Sequence, residues 1–153
     1  MPISSEVERG SKQYLTFRVA RHDLAIDAGR VRAIVPLEEM MEIPNARAGV
    51  AGVVSVAGRV VAVLDLCVRL GLAAGTQGAR RKVVVAEATG GHLAGFVADR
   101  VSDVIHYRAR DLRNGVLHGA GRPRRLVDVD EVVDEADLVH LWQARGPAAA
   151  GEP

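Results

Sequence analysis

Valine supplies 24 of the 153 residues, and many of these valines lie in short runs that end at glycine. A side chain branched at Cβ is stiff at χ1 and packs well on a pleated surface, so this excess favours sheet over helix. Hydrophobic residues make up 48% of the chain and aromatics only 3%. The core must therefore be aliphatic, and at this length one domain buries roughly 68–70% of its unfolded surface.

The runs order themselves as hairpins. Tyr14 to Val19 alternates as a half-buried strand does, and Arg21-His22-Asp23 turns the chain into Leu24-Ala25-Ile26-Asp27. Gly29 to Leu37 carries Val31, Ile34 and Val35 at helical spacing before Pro36, which predicts a short helix or a bent strand. Ile43 to Ala46 reads as a loop. Val50 to Val56 and Val60 to Leu66 are predicted strands joined by Ala57-Gly58-Arg59, with Gly58 suited to positive φ.

After a linker at about residues 74–81, Lys82 to Glu87, a Gly90-Gly91 turn and Leu93 to Asp99 repeat the hairpin pattern. Val101 to Tyr107 continues as strand, and Leu117 to Gly121 with Arg124 to Val127 suggests another hairpin. Asp128 or Asp130 can cap a helix running to about Trp142, with Val129, Val132, Val133 and Ala136 on its apolar stripe. Residues 1–12 and 146–153 are polar or Gly/Pro/Ala-rich and read as disordered ends, leaving 13–145 as one domain of two halves. Strands joined by hairpins without long crossover helices predict a mainly β fold of two small antiparallel barrels, each of about five strands.

The search for chemistry excludes more than it finds. A formal charge of +1 provides no broad field for nucleic acid or an anionic membrane. Eighteen of the 20 basic residues are arginine, a bias that a GC-rich genome explains without any arginine chemistry. Cys67 is the only cysteine, so neither a disulfide framework nor a CxxC site exists, and a buried inert thiol is expected. No run approaches the roughly 18 apolar residues of a membrane span, which makes cytoplasm the expected address.

His22, His92, His106, His118 and His140 stand singly, without the paired spacing that pre-places metal ligands, and are expected to be solvated. Ser55 and Ser102 lack a GxSxG context. The glycines form no phosphate-cradling motif, so no cofactor is expected. Asp99 and Asp103, four apart in extended chain, would lie roughly 13 Å from each other, too far for a carboxylate pair. Binding through sheet edges and barrel surfaces is the expected mode of action.

One segment points to a family. Gly52-Val53-Val54-Ser55-Val56-Ala57-Gly58-Arg59-Val60-Val61-Ala62-Val63-Leu64-Asp65-Leu66, running on to Gly71-Leu72, resembles the central signature of the CheW-like family, Gly-x-Ile-Asn-Leu-Arg-Gly-x-Ile-x-Pro-Val-Ile-Asp-Leu followed by Phe-Gly-Leu. Phe17 and Ile26, Val31 to Val35, Pro44-Asn45, and Ala98 to Val104 also fit that pattern. The resemblance implies a pair of five-stranded SH3-like barrels around a shared core, with one short helix in the first half and a C-terminal helix. It implies no active site.

By resemblance, the role is that of a chemotaxis adaptor coupling the cytoplasmic tips of chemoreceptors to the regulatory domain of a CheA-type histidine kinase, with another CheW-like adaptor as a further partner. Candidate partner-facing residues are Ala33 and Val35 in the short helix, Val53, Val56, Ala57, Gly58 and Val60 in the first barrel, and Val97, Asp99 and Val101 in the second. Where the family pairs a Glu with the Arg of its turn, this chain has Ala33 and Ala57, which leaves no orphaned charge and places receptor coupling in question. Ala62 replaces the family's Pro and restores a backbone donor, and Gly115 to Val127 is short relative to the family. Two alternatives stand beside the coupling role: an accessory motility protein that binds kinase or another adaptor but not receptors, and a small-barrel enzyme or nucleic-acid module.

Overall fold

A computed structural model describes residues 11–75, 81–119 and 121–133. Among the described residues, eleven strands form two sheets. The first sheet takes β3 (Val31–Pro36), β4 (Val50–Val56), β5 (Arg59–Leu64), β6 (Lys82–Glu87) and β7 (Leu93–Ala98) in the order β3-β6-β7-β5-β4. The second takes β1 (Ser11–Val19), β2 (His22–Asp27), β8 (Arg100–Arg108), β9 (Leu112–Arg113), β10 (Val116–Leu117) and β11 (Arg124–Val127) in the order β8-β1-β2-β11-β10-β9. Most pairings are antiparallel, as expected, but β5 pairs with β7 and β2 with β11 in parallel.

The barrels are not the two halves of the chain. The opening hairpin β1–β2 leaves its sequence neighbours and pairs with the C-terminal strands, while β6–β7 completes the first sheet. Val97, expected in the second barrel, therefore lies in the first. Hairpin signals report only which neighbours turn back on each other; the sheet each hairpin joins is decided by burial at long range.

Three local expectations are settled by the structure. Gly29 to Leu37 is the bent strand and not the helix: a single 3-10 turn, Ala28–Arg30, precedes β3, whose pairing with β6 shifts between Val31 and Ala33. The helical spacing arose because Ile34, apolar yet 45% exposed, faces solvent between the inward Ala33 and Val35. Pro36 is tolerated because β3 is an edge strand. At the end of β5 the chain turns at Asp65, and Leu66 opens helix α1 (Leu66–Leu70) where strand was expected. The Asp65 side chain accepts from the Cys67 N–H at 2.9 Å, and Gly71, at φ 66°, closes the helix in the left-handed region. The expected hairpin near the C-terminus forms between β10 and β11, and β9 adds to it through an Asn114-Gly115 turn.

Helix α2 (Val129–Val132) begins at Asp128, whose carboxylate accepts from the Asp130 N–H at 3.0 Å. The helix stops at Val132, short of the expected run to Trp142, because Val133 is already extended at φ −103° and ψ 128°; the rest of that run lies outside the described residues, as do the two expected disordered ends except Ser11 and Lys12. The Asp130 carboxylate accepts from the Thr89 backbone N–H at 2.7 Å and from its hydroxyl at 2.8 Å, and lies 3.3 Å from Arg30. These contacts, the Thr89 N–H foremost, hold its carboxyl below the ordinary carboxylate range. A depressed folded pKa contributes stability that is present above the unfolded value and fades as pH falls through the folded one. The stability profile of Asp130→Asn, measured by denaturation against pH, should accordingly fall less steeply than that of the parent below about pH 4.

Three apolar clusters fill the fold. The central one lies between the sheets and joins Phe17, Leu24 and Ile26 of one to Leu64, Val84 and Phe96 of the other, closed by Leu66, Val129 and Val132. Val54, Val61, Val63, Val83, Val85 and Val97 fill the first barrel. Tyr14, Ala25, Tyr107 and Leu117 fill the second, where the two tyrosine rings meet edge to face at 5.8 Å between centroids. Thr16 is buried at the shift in β1–β8 pairing, where its hydroxyl donates to the Asp103 carbonyl and accepts from the Asp103 N–H. The bulge leaves its polar groups satisfied in this way.

Candidate partner-binding surface

The β4–β5 hairpin carries the signature residues. Val53 faces Ala62, Val54 faces Val61, Ser55 faces Val60 and Val56 faces Arg59, with Ala57 and Gly58 as a two-residue turn at φ 50° and 79°. Positive φ at both positions is the type I′ geometry that matches strand twist, and alanine is a poor fit there because its Cβ crowds the following carbonyl. Replacing Ala57 with asparagine should stabilise the protein by about 0.5–1 kcal/mol in chemical denaturation, since asparagine tolerates this region.

Alternation sorts the sequence-derived candidates. Val54 belongs to the first-barrel core and Val56 packs against it, whereas Val53 and Val60 lie half-buried on the opposite face. Ala57 and Gly58 are exposed at the tip. Val53, Ala57, Gly58 and Val60 thus share one hairpin. Ala33 and Val35 turn inward onto the first-barrel core, and β3 presents Arg32 and Ile34 outward, Ile34 being 45% exposed. Val97 is buried in that same core and Val101 packs against the central one. These side chains contribute packing where the sequence suggested surface, because β3 and β8 show their alternate residues to solvent.

Asp99 also has a local structural task. Its carboxylate accepts from the Ala20 N–H, holding a turn in which Ala20 adopts φ 54°, and lies 3.3 Å from Arg81 Nε. The pair borders a cleft of about 120 Å³ between the sheets, walled by Val19, Met40, Ala51, Cys67 and Val97. Burial, followed by the carboxylates of Asp65 and Asp99, raises the Cys67 pKa and keeps the thiol protonated. The expectation of a quiet thiol agrees with this setting, although Cys67 is only partly buried.

The signature glycine Gly52 is explained by a close approach. The segment at Met41 bridges to Val53 through two backbone hydrogen bonds of 2.7 and 2.8 Å, and a Cβ on Gly52 would stand 2.3 Å from the Met41 carbonyl oxygen. Met41 itself is 70% exposed and extends the apolar edge beside Val53. Neither Met41 nor Ile34 was an expected surface residue, and Met40 beside them packs against the first-barrel core. Adjacent methionines ahead of a strand were the available signal, since flexible thioethers suit adaptable contact surfaces.

Among the described residues no group of three or more His, Cys, Asp or Glu side chains can hold a metal ion, and no helix is long and apolar enough to cross a membrane. Two fused barrels whose marked residues shape a hairpin and its caps define a β-barrel interaction module. Residues 13–137 match the CheW-like domain model, and the chain belongs to that family. It is 27% identical to the chemotaxis protein CheW of Rhizobium meliloti over 143 aligned residues, covering 84% of this chain and 92% of that one. Identity to the chemotaxis protein CheW of Thermotoga maritima is 25% over 135 residues, with 80% and 88% covered. The crystal structure of the scaffolding protein TtCheW from Thermoanaerobacter tengcongensis superposes with a TM-score of 0.73 at 17% identity, over 82% of this chain and 90% of that one, and has the same fold.

Proposed function

We propose that this chain is a non-catalytic adaptor of a chemotaxis-type signalling system, located in the cytoplasm, that couples chemoreceptors to a CheA-type histidine kinase. The observation that carries this reading is the family match over residues 13–137, including the whole hairpin signature. The domain proposed for this role is 13–145. Val53, Ala57, Gly58 and Val60 supply one face, with Met41 beside it, and Asp99 contributes near the second barrel.

Co-sedimentation with the kinase regulatory domain, and separately with a receptor cytoplasmic tip, tests the reading. Binding to the kinase domain that Val60→Glu abolishes is the expected result. Failure to bind either partner would overturn it. A second reading, an accessory adaptor without receptor binding, is favoured by Ala33 and Ala57, which remove the charged pair of the family pattern. It predicts kinase binding with no tip binding.

A further inference from the structure

Register in the second sheet sets an arginine on either side of a valine. Val116 of β10 stands opposite Arg113 of β9 and opposite Arg125 of β11, so the three side chains share one face of the sheet in a single row. With neighbouring strands about 4.8 Å apart, the two arginine backbones are roughly 10 Å from each other. Arg125 is in turn level with Leu24 of β2, which is buried in the central core. The row thus continues the inter-sheet face outward, past the point where the first sheet covers it: Arg113 and Arg125 are exposed and Val116 is half-buried. Arg110, also exposed, lies in the 3-10 turn Ala109–Asp111 that leads into β9.

Lack of an acidic partner sets these arginines apart. Elsewhere Arg18 and Arg122 share Asp23, Arg30 meets Asp130, Arg32 meets Glu87 and Arg81 meets Asp99. Among the described residues Arg110, Arg113 and Arg125 have no carboxylate within ion-pair distance. The nearest acid in sequence, Asp111, accepts the Arg108 backbone N–H at 2.7 Å. Base composition explains why the cations are arginine. It does not explain why three of them gather without acids around one half-buried valine, in a chain of net charge +1.

The chemistry of the row selects its occupant. Guanidinium forks take carboxylate oxygens in a bidentate way, and arginine is enriched at protein interfaces where lysine is depleted. The arginine stems and Val116 add apolar area between the two forks. Single-stranded nucleic acid calls for aromatic stacking, and Tyr14, Phe17, Phe96 and Tyr107 are all buried. We infer that the open face of β9, β10 and β11 is a docking surface for an acidic segment of a partner protein, with its carboxylates on Arg113 and Arg125 across Val116. This face is on the other sheet from the β4–β5 hairpin and does not rest on the coupling role proposed above.

Fluorescence anisotropy tests it near physiological ionic strength, where exposed charges more than about 8 Å apart are largely screened. The probes are a labelled peptide of repeated Glu and Ala residues, its Gln analogue and oligothymidylate. Saturable binding of the Glu peptide is expected, weakened about tenfold or more in Arg113→Gln/Arg125→Gln, whose side chains are exposed. Arg21→Gln/Arg100→Gln removes the same charge at two exposed positions outside the row and should change the affinity less than about twofold. Equal weakening in both double variants at unchanged melting temperature would reduce the effect to net charge and overturn the site. So would equal affinity for the Gln analogue, or tighter binding of oligothymidylate than of the Glu peptide. Self-association of the protein alone, seen by light scattering and lost in Arg113→Gln/Arg125→Gln, would make the occupant a second copy and overturn the assignment to a partner.

Discussion

Phe96→Ala should cost about 3–5 kcal/mol and should loosen both barrels together. The Phe96 ring is fully buried in the central cluster, where one sheet brings Leu64 and Val84 to it and the other brings Phe17, Leu24 and Ile26. Removing it leaves a cavity that neither sheet can fill without giving up contacts to the other. Domains of this size are stable by about 5–15 kcal/mol, so a large share of the total is at risk. Denaturation followed by near-ultraviolet signals of Tyr14 and Tyr107, which report the second barrel, should coincide with hydrogen exchange at β4 and β5 amides in the first. Separate transitions for the two probes would show that the barrels do not depend on a common core. Val61→Ala, inside the first barrel alone, is the control; it should cost less and leave the tyrosine environment intact at low denaturant.

Gly52→Ala is the second large effect, expected at about 3 kcal/mol of lost stability. Its added methyl would meet the Met41 backbone oxygen at 2.3 Å, which cannot swing aside, as well as the Met40 Cγ at 3.0 Å and the Met41 carbonyl carbon at 3.1 Å. The segment carrying Met40 and Met41 must therefore withdraw, giving up both hydrogen bonds to Val53 and opening the edge of β4. Hydrogen exchange should locate the damage at Val53. Binding of the kinase regulatory domain should weaken in parallel if the hairpin face is the contact. A crystal structure of the variant with the Met41–Val53 bridge intact would refute this account.

The resemblance to the family was legible because its marked residues serve local geometry. Asp65 caps a helix, Gly71 ends it, Gly58 completes a tight turn and Gly52 admits a crossing backbone; each requirement is confined to a few neighbouring residues and so is written in one short segment. The candidate surface was less legible. Ala33, Val35, Val56 and Val97 pack in or against a core, and only the pairing partners of their strands settle which face that is. Alternation along β3 runs unbroken from Val31 to Val35 and turns the apolar Ile34 to solvent together with Arg32, so hydrophobicity alone misreported its face. Asn114-Gly115, among the strongest hairpin signals a sequence can hold, went unread beside the longer strand before it.

By itself the sequence determined a valine-built sheet protein, its hairpins and turns, and its membership of an adaptor family, because β-branching, glycine conformation and caps act within a few residues of themselves. Tertiary structure alone decided that β1–β2 leaves the first half to join β8 and β11 and that one core joins both barrels. Those outcomes depend on pairings between residues up to about a hundred positions apart, where the burial of whole faces outweighs any preference local to the chain.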